Sequence, residues 1–201
     1  MNKFEARSKE SYDKMADNYD RTPEGWFCLV FKHKLLASLS SFRGGKVLDV
    51  GCGTGALLKM IGDSYTIDGY GTDISDNMIA NANRLHPNMT FAVAPCDSIP
   101  FCDEQFDLAT VCCAYHHFPN VNAFAGEIVR LLKHGAYLYI AEIYYAALVR
   151  LMLNPFVPLS KAGDVKFYSP SQIIKTFAKY GMKSIYLHIE GHEQILGFQK
   201  N

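Results

Sequence analysis

From Lys46 onward, short apolar runs alternate with stretches whose apolar residues recur every three or four positions. KVLDV (46–50), TIDGYGTD (66–73), TFAVA (90–94), FDLATVCC (106–113) and AYLYIAEI (136–143) have the length and composition of strands. GALLKMIGD (55–63), SDNMIANANRL (75–85) and VNAFAGEIVRLLK (121–133) have helical periodicity, the last with Phe124, Ile128, Leu131 and Leu132 on one side. Ser75 or Asp76 suits the cap of the middle helix. Strands alternating with helices predict an α/β fold, Rossmann-like and doubly wound, with helices on both faces of a mostly parallel sheet.

The pattern changes towards the C-terminus. SPSQIIKTFAKYG (169–181) predicts a helix with a serine cap and a stop at Gly181. MKSIYLHIE and HEQILGFQK follow with only Gly191 between them, which predicts a hairpin. The sheet is thus expected to have seven strands, with a C-terminal antiparallel hairpin strand at its edge. Residues 1–43 read as an N-terminal helical cap broken at Pro23 and Gly25, and residues 144–168 as an insert or lid after strand five, all within a single domain of residues 1–201.

Composition narrows the partners. The 201 residues carry 20 Lys plus Arg and 20 Asp plus Glu, without the basic surplus that a phosphate-backbone binder usually shows, so no nucleic-acid partner is expected. The first residues have no signal-peptide core. The longest apolar run, residues 135–156, is interrupted by Glu142 and Arg150 and stopped at Pro155, so no membrane span is expected. The expected location is cytoplasmic, with the six cysteines as reduced thiols. They lack the paired spacing of a zinc site. Cys112 and Cys113, adjacent on a strand, would point to opposite faces, so no metal is expected.

The most informative stretch is VLDVGCGTGALL (47–58): a strand, a tight glycine turn, then a helix. Glycines there let the backbone approach a ligand at a helix N-terminus. Gly51, Gly53 and Ala56 also satisfy the dinucleotide fingerprint, so an NAD(P)-binding reductase stays open at this point. Asp49 argues against it. A carboxylate two residues before the first glycine repels a pyrophosphate and suits a ligand bearing an ammonium and a sulfonium. Asp73, ending the next strand, can accept hydrogen bonds from ribose hydroxyls of either cofactor.

Four motifs in order, over about 100 residues, extend this reading: VLDVGCGTG, GTDISDNMIANA, VAPCDSIPFCDEQFDLAT and EIVRLLKHGAYLYIAE. The run from Lys46 to about Glu142 resembles a class I S-adenosylmethionine-dependent methyltransferase, in the subgroup of ubiquinone/menaquinone-biosynthesis-type and other small-molecule methyltransferases. The resemblance implies S-adenosyl-L-methionine as cofactor. It implies that Asp49, Gly51 and Gly53 line the methionine end, that Cys52 and Cys113 are also cofactor-binding, and that Asp73 holds the ribose. Ile74 and Met78 would flank the adenine or ribose, and Asp97 and Ser98 would reach the adenine. SYDKMADNYDR resembles the entry segment of the same subgroup, where Tyr12 and Tyr19 would close over the cofactor. Two departures affect local geometry only: KHGA stands for the usual KPGG, and Pro95 is expected to end its strand early.

AYHHFPNV (114–121) leaves the C-terminal end of the fourth strand, where ligands of open parallel sheets bind. His116 or His117 is either a general base for the acceptor or a structural residue packed on the following helix; Tyr115 is a third candidate for facing the cofactor. CAYHH stands where amino-group methyltransferases carry a Pro-Pro-aromatic signature, which favours a small-molecule acceptor. The insert, with Tyr144, Tyr145, Phe156 and Phe167, suits an apolar or aromatic acceptor, or core packing, or a homodimer interface. A non-catalytic S-adenosylmethionine-binding protein remains the alternative of another class.

Overall fold

The computed structural model describes residues 1–201. Its strands are β1 (Gly45–Val50), β2 (Ile67–Asp73), β3 (Thr90–Val93), β4 (Phe106–Cys112), β5 (Leu132–Ile143), β6 (Met182–Glu190) and β7 (Glu193–Lys200). Its helices are α1 (Lys3–Met15), α2 (Pro23–Ser38), α3 (Ala56–Ser64), α4 (Asp76–Leu85), α5 (Val121–Leu131), α6 (Ala147–Leu153) and α7 (Pro170–Ala178). All seven strands form one sheet in the order β3-β2-β1-β4-β5-β7-β6. Strands β1 to β5 pair in parallel, and β7 is antiparallel to both β5 and β6. The expected Rossmann-like, doubly wound sheet is the observed one. The antiparallel strand, however, lies inside the sheet, and β6 forms the edge. Chemistry explains the difference: β7 is apolar and buried through its middle, whereas β6 is mostly exposed and carries Lys183, Ser184, His188 and Glu190, which suit an edge.

Side chains alternate across the sheet and feed two cores. On one face Leu48, Ala109 and Val111 meet Phe124 and Ile128 of α5 and Phe177 of α7. On the other, Val47, Leu108 and Tyr139 meet Phe31 and Leu35 of α2 and Leu57 and Ile61 of α3. Truncating one of these buried leucines to alanine costs about 2–5 kcal/mol, which makes the sheet a rigid base for whatever stands on its strand ends.

Capping sets the helix starts. Asn2 and Glu5 form a capping box on α1, Ser75 caps α4, and Ser169 with Gln172 caps α7. Thr22 caps α2, with Pro23 at its first position. The break in the N-terminal segment therefore lies at residues 16–22, and the expected break at Pro23 and Gly25 is corrected. Proline at the first helical position lacks only a donor that has no helical partner there. Gly25 sits in the first turn because a Cβ would come within 2.1 Å of the Tyr19 carbonyl oxygen.

Strand β5 begins at Leu132, four residues earlier than its apolar run suggested. Leu132 pairs with Phe106 and Tyr137 with Leu108, so residues 133–136, including KHGA, bulge out between two paired stretches. Strand β3 ends at Val93, ahead of Pro95, as expected.

Candidate active site

Strand β1 pairs with β2 on one side and β4 on the other, so the chain's crossovers diverge between β1 and β4. The crevice beyond their C-terminal ends is where an open sheet binds ligands. A cavity enclosing about 900 Å³, part of it open to solvent, lies there.

Its base comes from the β1–α3 loop. Gly51 and Gly53 have φ of +75° and +53°, conformations that side chains disfavour. A Cβ on Gly51 would also lie 2.5 Å from the Ala114 Cβ, so glycine lets the loop pass the end of β4. Asp49 is 2 % exposed, and its Oδ1 accepts a hydrogen bond from the Thr110 hydroxyl at 2.7 Å. Burial pushes its carboxyl up to about 6, against the Thr110 bond and the Lys32 charge. Asp73 Oδ2 accepts from Gly53 N–H and Oδ1 from Ser75 N–H, both at 2.9 Å. Burial raises its pKa too, while these backbone donors oppose the rise.

Tyr12, Tyr19, Cys52, Ile74, Met78, Cys113 and His117 line the same cavity. Asp97 and Ser98 do not. Their segment reaches the cavity through Ala94, Pro95 and Cys96, leaving Asp97 half-buried and Ser98 exposed beyond. Tyr115 is fully buried in the core against Phe118, Phe124 and Tyr168, so its candidacy for facing the cofactor is withdrawn. No residue of 144–168 lines the cavity either. Tyr145 and Phe167 pack on each other, and Phe156 is 68 % exposed. The apolar side chains of α6 are largely exposed, and no residue of that helix is buried, whereas Val157 and Tyr168 of the same segment reach the core.

The two histidines separate. They occupy a 3-10 turn, Tyr115–His117, with ring centroids 4.1 Å apart. His116 turns away from the cavity. Its backbone N–H and Nδ1 both reach the fully buried Glu142, the ring nitrogen at 2.8 Å. Burial pulls its pKa down, but Glu142 and Asp164 outweigh that and hold it above the ordinary value. His117 faces the cavity, and its Nε2 shares a 3.0 Å hydrogen bond with the Tyr12 hydroxyl. Burial and the neighbouring His116 push its pKa well down, so His117 is a neutral imidazole. A neutral imidazole can accept a proton; one held cationic between carboxylates cannot.

Sequence reasoning missed two residues of α2. Lys32, 8 % exposed, and Cys28 both line the cavity. Cys28 accepts a hydrogen bond from the Tyr19 hydroxyl at 3.4 Å, and a hydrogen bond from Cys113 leads the causes that lower its thiol to about 7. The available signal was a lysine inside the stripe Cys28, Phe31, Lys32, Leu35, where helical spacing would place only apolar residues.

The residues suit the methionine end of the cofactor implied by the glycine loop. Asp49 is a buried carboxylate at the loop's base, and Lys32 supplies the opposite charge on the same wall. The adjoining glycines leave the backbone bare. A pyrophosphate would meet the Asp49 carboxylate instead.

Comparison with known proteins points the same way. The family model described as a methyltransferase domain matches residues 48–140. A demethylmenaquinone methyltransferase of Beutenbergia cavernae is 27% identical over 161 residues, covering 75% of this chain and 67% of that protein. A 2-methyl-6-phytyl-1,4-hydroquinone methyltransferase of Synechocystis is 33% identical over 102 residues, covering 49% of this chain and 32% of that protein. The matches thus leave a third or more of each relative's length unmatched. A chain in the solved complex between the Haloferax volcanii Trm112 methyltransferase activator and a methyltransferase shares the fold. Its TM-score is 0.76 at 20% identity, covering 99% of this chain and 98% of that one. The matched residues include the glycine loop, the Asp73 strand end and the histidine turn, and over them the chain is similar to a methyltransferase domain.

Proposed function

We propose that the protein transfers a methyl group from S-adenosyl-L-methionine to a small-molecule acceptor by in-line displacement. The observation that carries this reading is the buried Asp49 carboxylate at the base of a glycine-loop cavity. Bound there, the cofactor supplies an electrophilic methyl on a sulfonium. Asp49 receives its ammonium and Lys32 its carboxylate. Gly51, Cys52 and Gly53 admit the chain closely, Asp73 accepts from the ribose hydroxyls, and Ile74 and Met78 flank the base. The adenine edge falls to the Ala94–Cys96 backbone, with Asp97 and Ser98 just beyond. Tyr12 and Tyr19, in the cap of residues 1–43, close the site and exclude water; Cys113 fills the wall beside Cys28.

Alignment of the acceptor with the methyl provides much of the rate. For a hydroxyl acceptor, His117 takes the proton, oriented by Tyr12, while His116 braces the turn. The acceptor class is an aromatic or hydroquinone-like ring with apolar substituents. The relatives' names support that, as do the apolar Phe118 and Pro119 in the cavity wall. No helix is long and apolar enough to cross a membrane, so an acceptor with a long apolar tail would be met at a surface.

Calorimetric titration with S-adenosylhomocysteine tests the reading. One site per chain is expected, with no comparable binding of NADH. No binding at millimolar ligand overturns it. A hydroquinone and phenol screen then separates an enzyme from a non-catalytic cofactor-binding protein.

A further inference from the structure

Beside the cavity, three potential ligand atoms converge without forming a closed hydrogen-bond network. His116 Nε2 lies 3.5 Å and His117 Nδ1 3.1 Å from Asp164 Oδ1. All three atoms lie within 4.8 Å of one another. Four ligands at about 2.0–2.1 Å around a tetrahedral ion are separated by about 3.3 Å. We propose that His116, His117 and Asp164 form a binding site for a divalent transition-metal ion of the zinc class.

The turn makes this possible. The expectation of no metal rests on Cys112 and Cys113, adjacent on a strand, whereas the histidines lie beyond the strand end. On the 3-10 turn the two rings lie side by side. The supporting partners are those of a metal centre. Glu142 holds His116 by Nδ1 and leaves Nε2 directed at Asp164. Tyr12 holds His117 by Nε2 and leaves Nδ1 directed at the same carboxylate. Metal-ligating histidines characteristically have the non-ligating nitrogen fixed in this way.

A second observation is independent of the cluster's shape. His117 Nδ1 is buried and makes no well-aligned hydrogen bond, although Asp164 Oδ1 lies 3.1 Å away and the Gly163 carbonyl borders the ring. Leaving a buried donor or acceptor unpaired costs about 1–3 kcal/mol. An ion between the two groups removes that cost. A simple charge pair accounts for His116 with its two carboxylates, but not for the idle nitrogen of His117.

Asp164 is held in place rather than swept in by a free loop. Val165 N–H donates to the His116 carbonyl at 2.8 Å. Gly163 is buried against α1, where a Cβ would come within 2.5 Å of the Phe4 carbonyl oxygen. Two imidazoles and one carboxylate suit zinc, cobalt or nickel better than magnesium or calcium, which favour all-oxygen shells. Three protein ligands leave a fourth position for water or for an acceptor oxygen. With an ion bound, His117 would serve as a ligand rather than as a base, and the ion would supply a Lewis acid beside the cavity.

The test uses chelator-treated full-length protein titrated with Co²⁺, read by visible absorption, and with Zn²⁺ in competition. The expected result is one equivalent per chain, the spectrum of a four-coordinate nitrogen and oxygen site, and displacement by Zn²⁺. Asp164→Ala should weaken binding by about 10- to 100-fold while leaving S-adenosylhomocysteine affinity and the far-ultraviolet dichroism unchanged; Asp164→Asn serves if the alanine variant is unstable. Three results each overturn the proposal: no stoichiometric Co²⁺ binding, a thiolate charge-transfer band assigning the ion to the cysteines, or undiminished affinity in the Asp164 variants. Because S-adenosylhomocysteine binding is read separately, failure of the metal site and failure of the cofactor reading are distinguishable.

Discussion

The loop after β1 and the turn after β4 leave neighbouring strands at the same end of the sheet, yet they are built by different means. The β1–α3 loop is made from one short stretch of backbone. Its glycines, its strand-end Asp49 and its hydrogen bond to Asp73 all lie within 25 residues. The histidine turn is assembled from afar: Tyr12 is 105 residues before His117, and Glu142 is 26 after His116. The first region depends on conformation, the second on the meeting of distant side chains. Cofactor affinity should therefore follow the loop, and acceptor chemistry the turn.

The strongest challenge to that division is Asp49→Asn. Removing one charge of a desolvated ion pair costs about 3–5 kcal/mol, so S-adenosylhomocysteine affinity should fall more than about 100-fold. The apoprotein should become more stable. The ionised carboxylate, with its pKa raised from 3.8 to about 6, costs on the order of 3 kcal/mol. The sign follows from the raised pKa. The folded form retains its proton between about pH 4 and 6 while the unfolded form loses it. The penalty thus grows through that window and is full above it. Urea titrations of both proteins at pH 4 and 7 check this: the variant's advantage should appear only at the higher pH.

Asp73→Ala comes next. It removes a charged acceptor and strands the N–H groups of Gly53 and Ser75, so affinity should drop by about 10- to 100-fold in calorimetry. Unchanged affinity sinks the ribose assignment. A smaller effect needs no mutation. As pH falls from 7 to 5, protonation of Asp49 should weaken S-adenosylhomocysteine binding by about tenfold, and the Asp49→Asn variant should show a flattened profile. Smallest is Tyr12→Phe. Loss of one neutral hydrogen bond to His117 should slow turnover of a phenolic acceptor by about fivefold with cofactor affinity unaltered. A parallel loss of cofactor affinity would show that loop and turn act as one unit.

The same contrast explains what could be read in the sequence. The alternating sheet, the glycine loop and the Asp73 strand end depend on period, turn chemistry and spacing, all local properties. The position of β7 inside the sheet, the exclusion of Asp97 and Ser98 from the cavity and the exposed apolar side chains of α6 depend on where elements pack. The histidine pair was visible, but the division of roles between its members was not. That division depends on Glu142 and Asp164, which no spacing connects to the turn. Lys32 was hidden for the same reason: only the packing of α2 against the strand ends turns a lone lysine among apolar residues into a cavity wall.

One feature of the sheet bears on how the molecule is made. Strand β6 precedes β7 in the chain, but β7 is its only neighbour and also the strand that closes β5. Strand β6 has no other strand to pair with until β7 is present, so the two join the sheet together as a hairpin. Polar side chains along β6, alternating with half-exposed Ile185, Leu187 and Ile189, suit a strand whose outer edge stays unpaired.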